Sequence, residues 1–122
     1  MKRLLIVITI LILIFSMNTA YAATRNFTDI KGDSGEEAVR LLSSYGIING
    51  YPDNTFKPDS PVTRAEMAKI ITIAAGYYEY SKNMTSVYED MHGHWAENYV
   101  ELANVLNIVK GISPKIYGPD NY

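Results

Sequence analysis

Residues 26–59, NFTDIKGDSGEEAVRLLSSYGIINGYPDNTFKPD, and residues 87–120, VYEDMHGHWAENYVELANVLNIVKGISPKIYGPD, superimpose without a gap at an offset of 61 residues. Asp29 falls on Asp90, Gly32 on Gly93, Glu36 on Glu97, Leu41 on Leu102, Ile47 on Ile108, Gly50 on Gly111, and Pro58-Asp59 on Pro119-Asp120. Glycines and prolines are among the matches, so the backbone path repeats and not only its hydropathy. An internal repeat of this kind constrains the fold more than any single motif, because each unit is one small element that needs a neighbour to cover its apolar side.

Each unit reads as helix, extended loop, helix. In the first, Asp33 or Ser34 can cap the helix start, and Glu36 and Glu37 suit the positive end of its dipole. Ala38, Leu41, Leu42 and Tyr45 recur at helical spacing as its expected buried face, and Gly46 is placed to end it in a left-handed conformation. Gly50-Tyr51-Pro52-Asp53-Asn54-Thr55 is turn chemistry, with Phe56 as an apolar pin. Thr63-Arg64-Ala65-Glu66 has the spacing of a capping box for a second helix, with Met67, Ile70, Ile71 and Ala74 as its expected buried face and Gly76 as its end. Residues 77–86 read as a tyrosine-rich linker. In the second unit Trp95, Tyr99, Leu102, Ala103 and Leu106 fall at helical spacing, and the sequence reaches Tyr122 without a second helix. The expected organisation is all-α: a first unit at 26–76, a linker at 77–86 and a partial second unit at 87–122.

Ahead of the repeats, Lys2 and Arg3 precede an apolar run from Leu4 to Phe15, interrupted by Thr9 alone, and the stretch Ala20-Tyr21-Ala22. This is the pattern of a secretory signal peptide over residues 1–22. A run of about a dozen apolar residues is short beside the roughly 20 that a membrane span needs, so no stable membrane anchor is expected after cleavage. Removing the two cations from a formal net charge of −2 leaves the mature part near −4, which disfavours nucleic acid and anionic membranes as bulk electrostatic partners. With no cysteine there are no disulfides and no thiol chemistry.

The sequences FTDI, GIINGYPDNTFKPDSPVTRAEMAKII and YEDMHGHWAENYVELA closely resemble the S-layer homology (SLH) family, over about residues 26–122. A GYPD-x-TF-x-P loop followed at fixed distance by TRAE is a specific combination. The resemblance implies helix-loop-helix repeats, usually three around a pseudo-threefold axis. It further implies noncovalent attachment of a secreted protein to secondary cell-wall polysaccharide at the wall or S-layer surface, often through pyruvate-modified sugars bound in grooves between repeats. Carried over by match, the ligand-binding residues are Arg64 of TRAE, Asp29 and Asp90 of the opening motif, Trp95 of HWA, and the loop glycines Gly46 and Gly50. The first unit departs from the pattern with Gly32-Asp33-Ser34-Gly35 in place of GHWA. The second has Gly111-Ile112-Ser113-Pro114-Lys115 in place of the GYPD loop.

The chemistry of these side chains suits such a ligand. A ketal-linked pyruvate presents a carboxylate, and arginine offers a planar fork of donors beside the free amides of a helix start. An indole covers the apolar face of a sugar ring, and an aspartate accepts from hydroxyls. Each residue also has a plainer reading: Arg64 in a surface ion pair, Trp95 as a core aromatic, Asp29 and Asp90 as caps of the turns before the helices, Gly46 and Gly50 as backbone necessities. Arg64 is expected to face Asp90 or Trp95 across one inter-repeat groove. His92 and His94 lack a third ligand in motif spacing, and Asp53, Asn54 and Asp59 lack the twelve-residue calcium-loop pattern, so neither metal nor cofactor is expected. No nucleophile elbow, metal set or paired-carboxylate motif points to an enzyme. The alternative to carbohydrate binding is an assembly module that completes a helical bundle with another SLH-containing chain or with copies of itself.

Overall fold

The computed structural model describes residues 25–122; the signal peptide expected at 1–22 lies outside the described residues. Among the described residues four α-helices follow one another, α1 (Glu36–Ser44), α2 (Arg64–Ala74), α3 (Tyr78–Ser81) and α4 (Glu97–Val105), with a 3₁₀ turn at Glu89–Met91. Among the described residues there is no strand, only an isolated antiparallel bridge between Ser113 and Ile116. Among the described residues no helix is long and apolar enough to cross a membrane.

The repeat is physical as well as textual. Thr28 N donates to Asn54 O and Glu89 N to Lys115 O, Ile47 N to Leu42 O and Ile108 N to Ala103 O, each pair related by the same 61-residue shift. Phe27 meets Phe56 at 5.7 Å between centroids, and Tyr88 meets Tyr117 at 5.6 Å. The helix starts are built alike: the Asp33 carboxylate accepts from Gly35 N at 2.7 Å and His94 Nδ1 from Ala96 N at 3.1 Å. Asp33 therefore serves the start of α1, from two residues before the Gly35 cap. Gly46 ends α1 at φ +70° and its counterpart Asn107 ends α4 at φ +58°.

The capping box forms as the sequence predicts. Thr63 Oγ1 accepts from Glu66 N while the Glu66 carboxylate accepts from Thr63 N at 2.9 Å. The buried faces, however, are turned from those expected. On α2 the covered stripe is Ala65, Ala68 and Thr72, while Met67 is exposed and Ile70 and Ile71 are half-buried. On α4 Leu102 and Ala103 are buried as expected, joined by Val100 and Glu101, while Trp95 and Leu106 lie outside the covered face. Small side chains let the two helices approach closely, so the core of Ala65, Ala68, Tyr88, Met91, Ala96, Val100 and Tyr117 straddles the junction of the two units. Hydrophobicity favoured the larger Met67 and Ile70, but close backbone approach selects alanine. On α1 the expected core residues Leu41 and Tyr45 are 55% and 71% exposed, because none of the described residues covers them.

The stretch 77–86 carries α3, whose Tyr78 stacks on Tyr99 of α4 at 6.1 Å. Ser81 and Ser86 are buried. Of the tyrosines in this stretch, Tyr78 thus packs on the second unit, while Tyr77 and Tyr80 are exposed and meet each other at 6.2 Å.

Candidate ligand-binding cleft

Asp29 and Asp90 hold the distal loop of each unit. Asp29 accepts from the amides of Phe56 and Lys57 at 2.8 and 2.7 Å, and Asp90 from those of Tyr117 and Gly118 at 2.9 and 2.8 Å. They do not cap the turns beside them; each reaches 27 or 28 residues along the chain. Burial opposes the ionisation of both, but the paired amides outweigh it and hold both carboxyls below their ordinary value. Glu36 and Glu97 accept from Gly32 N and Gly93 N respectively and are likewise lowered, chiefly by those amides.

A pH dependence follows. Groups whose folded-state pKa is depressed contribute stability above their unfolded values, 3.8 for aspartate and 4.5 for glutamate, and lose it as the pH falls through the lower folded values. Urea midpoints are expected to stay level from neutral pH to about pH 5 and to drop steadily below about pH 4. A midpoint unchanged at pH 3 would count against the carboxylate clamps.

Arg64 ties the units together. Its Nη2 donates to Lys110 O at 2.6 Å and its Nε to Tyr117 O at 3.2 Å, while the guanidinium lies 4.5 Å from the Tyr117 ring centroid. Tyr117 Oη donates back to Arg64 O at 3.0 Å. The first amides of α2, which helix geometry leaves without partners, donate across the junction as well, Arg64 N to Asn121 O and Ala65 N to Pro119 O.

A cleft of about 320 Å³ opens beside this junction. Its walls are the first unit's loop, from Ile47 to Tyr51 and Phe56 to Pro58, the Glu66, Lys69 and Ile70 face of α2, and Trp95 from the second unit. Trp95 is 57% exposed, so its indole is not a core aromatic. Lys69 is held below the ordinary lysine value by burial and by nearby Arg25, partly offset by Glu66. Asn49, with its amide oriented to satisfy both neighbours, accepts from Lys69 Nζ at 3.1 Å and donates to Ile48 O. Lys57 Nζ sits 4.1 Å over the Tyr51 ring.

Of the residues expected at a binding site, Trp95 and Gly50 line this cleft; Arg64, Asp29, Asp90 and Gly46 are not among its lining residues. Lys69 and Tyr51 were missed. The signal for Lys69 was its place three residues after Glu66 and next to Ile70, on the side of α2 that the alanine stripe leaves uncovered. No group of three or more histidine or acidic side chains among the described residues is arranged to hold a metal ion.

The architecture defines a class: a tandem-repeat helical module whose open cleft is shared between units. The S-layer homology domain family matches at residues 26–68 and 87–122, and the chain belongs to that family. It is 35% identical to a cell surface protein of Thermoanaerobacter kivui over 127 aligned residues, 99% of this chain and 17% of that protein. It is 33% identical to a surface layer protein of Brevibacillus choshinensis over 84% of this chain and 10% of that one. It is 31% identical to a cellulosome-anchoring protein of Acetivibrio thermocellus over 67% of this chain and 19% of that one. The chain thus spans less than a fifth of the length of these relatives. No solved structure gives a significant match.

Proposed function

We propose that this chain is a secreted, noncatalytic anchoring module of the bacterial envelope that holds an anionic, pyruvylated secondary cell-wall polysaccharide in the cleft between its repeats. The observation that carries the reading is the pairing of an exposed indole, Trp95, with the partly buried Lys69 in one cleft. The indole offers a platform for the apolar face of a sugar, and the ammonium, with nearby Arg25, a counter-charge for a ketal carboxylate. Gly50 shapes the loop wall of the cleft, because a Cβ there would collide with the Phe27 ring and the Thr55 carbonyl. Arg64, Asp29, Asp90 and Gly46 serve the site by holding its walls. The cell-surface and surface-layer names of the relatives support a location on the wall or S-layer.

The test is cosedimentation of residues 23–122 with cell-wall sacculi before and after extraction of the secondary polymer. Binding is expected to vanish on extraction and to weaken roughly tenfold in Trp95→Ala, the scale of one stacked aromatic. Lys69→Ala is expected to weaken it as well and to remove most of its salt dependence. Undiminished binding by both variants would overturn the assignment of the cleft.

A second reading, assembly with other SLH-containing chains, is favoured by a separate observation. The α1 face carries Leu41, Leu42 and Tyr45 at 55%, 39% and 71% exposure, a concentration of apolar surface that marks an interaction site.

A further inference from the structure

We infer that the cleft continues into an aromatic track, from Trp95 over Tyr99 to Tyr77 and Tyr80, which binds the uncharged sugars next to the anionic one on the same polymer. The inference rests on the cleft reading and extends it from a single sugar to a stretch of chain.

Both walls of the cleft lead the same way. Tyr99 of α4 comes four residues after Trp95, one turn on along the same side, and is half-buried against the shared core. On α2, Lys69 and Ile70 line the cleft with Trp95, and Thr72 Oγ1 meets Tyr99 O at 3.5 Å. The chain then runs on to α3, where Tyr78 stacks on Tyr99 at 6.1 Å. The order leading away from the cleft is therefore Trp95, Tyr99 and the tyrosines of 77–80. That last stretch is held firmly: Tyr77 N donates to Thr72 O at 3.0 Å, and the buried Ser81 donates its hydroxyl to Tyr78 O at 2.7 Å.

Packing accounts for Tyr78 but not for its neighbours. Tyr77 and Tyr80 are 40% and 71% exposed, and they meet each other with ring planes 64° apart, an edge contact that leaves ring faces open. Such a concentration of exposed aromatic surface marks a contact site, and tyrosine, with two rotatable side-chain bonds, loses little entropy when a ligand fixes it. A phenol offers a sugar both an apolar face and a hydroxyl. The charges select the kind of sugar. Glu79 and Lys82, the two charged side chains of 77–86, pair with each other at 2.7 Å, so this end of the track suits an uncharged unit, whereas Lys69 and nearby Arg25 suit an anion at the cleft. Residues 77–80 also lie outside the two segments that match the family, so the track is not part of the repeat motif.

The probe is secondary polymer extracted from sacculi, partially hydrolysed and fractionated by chain length, titrated into residues 23–122 and into the double variant Tyr77→Ala, Tyr80→Ala. The unaltered protein is expected to bind long fragments about fivefold more tightly than the shortest ones that bind at all, the scale of added aromatic contact. The double variant is expected to bind long and short fragments alike, at the affinity of the short ones. Its binding is expected to keep the salt dependence that Lys69→Ala loses. Its Tm is expected to be unchanged, since both side chains are exposed, which separates a lost contact from a lost fold. Equal affinity of the unaltered protein for all lengths, or a double variant that still prefers long fragments, would overturn the inference. Trp95→Ala separates this inference from the cleft reading. If it binds every fragment like the unaltered protein, both fail; if it is weakened at every length while the tyrosine variant is not weakened at any, the track alone fails.

Discussion

Gly111→Ala is expected to destabilise the protein by about 3 kcal/mol, a fall in Tm on the order of 15 °C for a domain of this size. A Cβ at Gly111 would collide with the Tyr88 ring and stand 2.6 Å from the carbonyl oxygens of both Ser113 and Ile116. A ring edge can swing aside, but the two carbonyls belong to a turn closed by the Ser113 N to Ile116 O bond, and Tyr88 is locked by donating its hydroxyl to Asn104 and accepting from Gly111 N. Moving any of them disturbs the Tyr88–Tyr117 contact in the shared core. The matched control is Gly46→Asn, at a site where an added Cβ meets open space and where the second unit already places Asn107 in the same left-handed conformation. It is expected to change stability by less than about 1 kcal/mol. Thermal unfolding by circular dichroism decides the matter: equal Tm values for the two variants would mean that the loop relaxes around the added methyl group.

The contrast between those glycines marks how far the sequence was legible. The repeat, its 61-residue offset, the helix ends at Gly46 and Gly76 and the Thr63–Glu66 capping box were readable because each rests on local chemistry within a few residues. The phase of the helices was not. Met67, Leu41 and Tyr45 are apolar at the correct spacing, yet which side of a helix is covered depends on its partner, and α2 finds its partner in the second unit through Ala65 and Ala68. Asp29 and Asp90 were recognisable as important, but their partners lie 27 and 28 residues away, a distance no local rule spans. Lys69 resembled any solvent-facing helix lysine until the first unit's loop and Trp95 were placed around it.

Arg64→Ala is expected to lower stability by about 2–3 kcal/mol, from the loss of hydrogen bonds by a charged donor to Lys110 O and Tyr117 O and of its contact with the Tyr117 ring. The carbonyl of Lys110 lies near solvent and recovers part of its bond from water, which keeps the figure below the sum for two fully buried contacts. Arg64→Lys is expected to recover less than half of the loss, since an ammonium lacks the planar fork that reaches two carbonyls at once. Urea unfolding measures the stability, and sacculus cosedimentation well below the unfolding midpoint measures the site. If Arg64 acts through the frame, the variant loses urea resistance and, while folded, still sediments with the wall polymer, whereas Trp95→Ala keeps its urea resistance and sediments about tenfold more weakly. An Arg64→Ala protein of unchanged stability that fails to sediment would instead place the guanidinium against the polysaccharide, and would require it to leave the Lys110 and Tyr117 carbonyls when the ligand arrives.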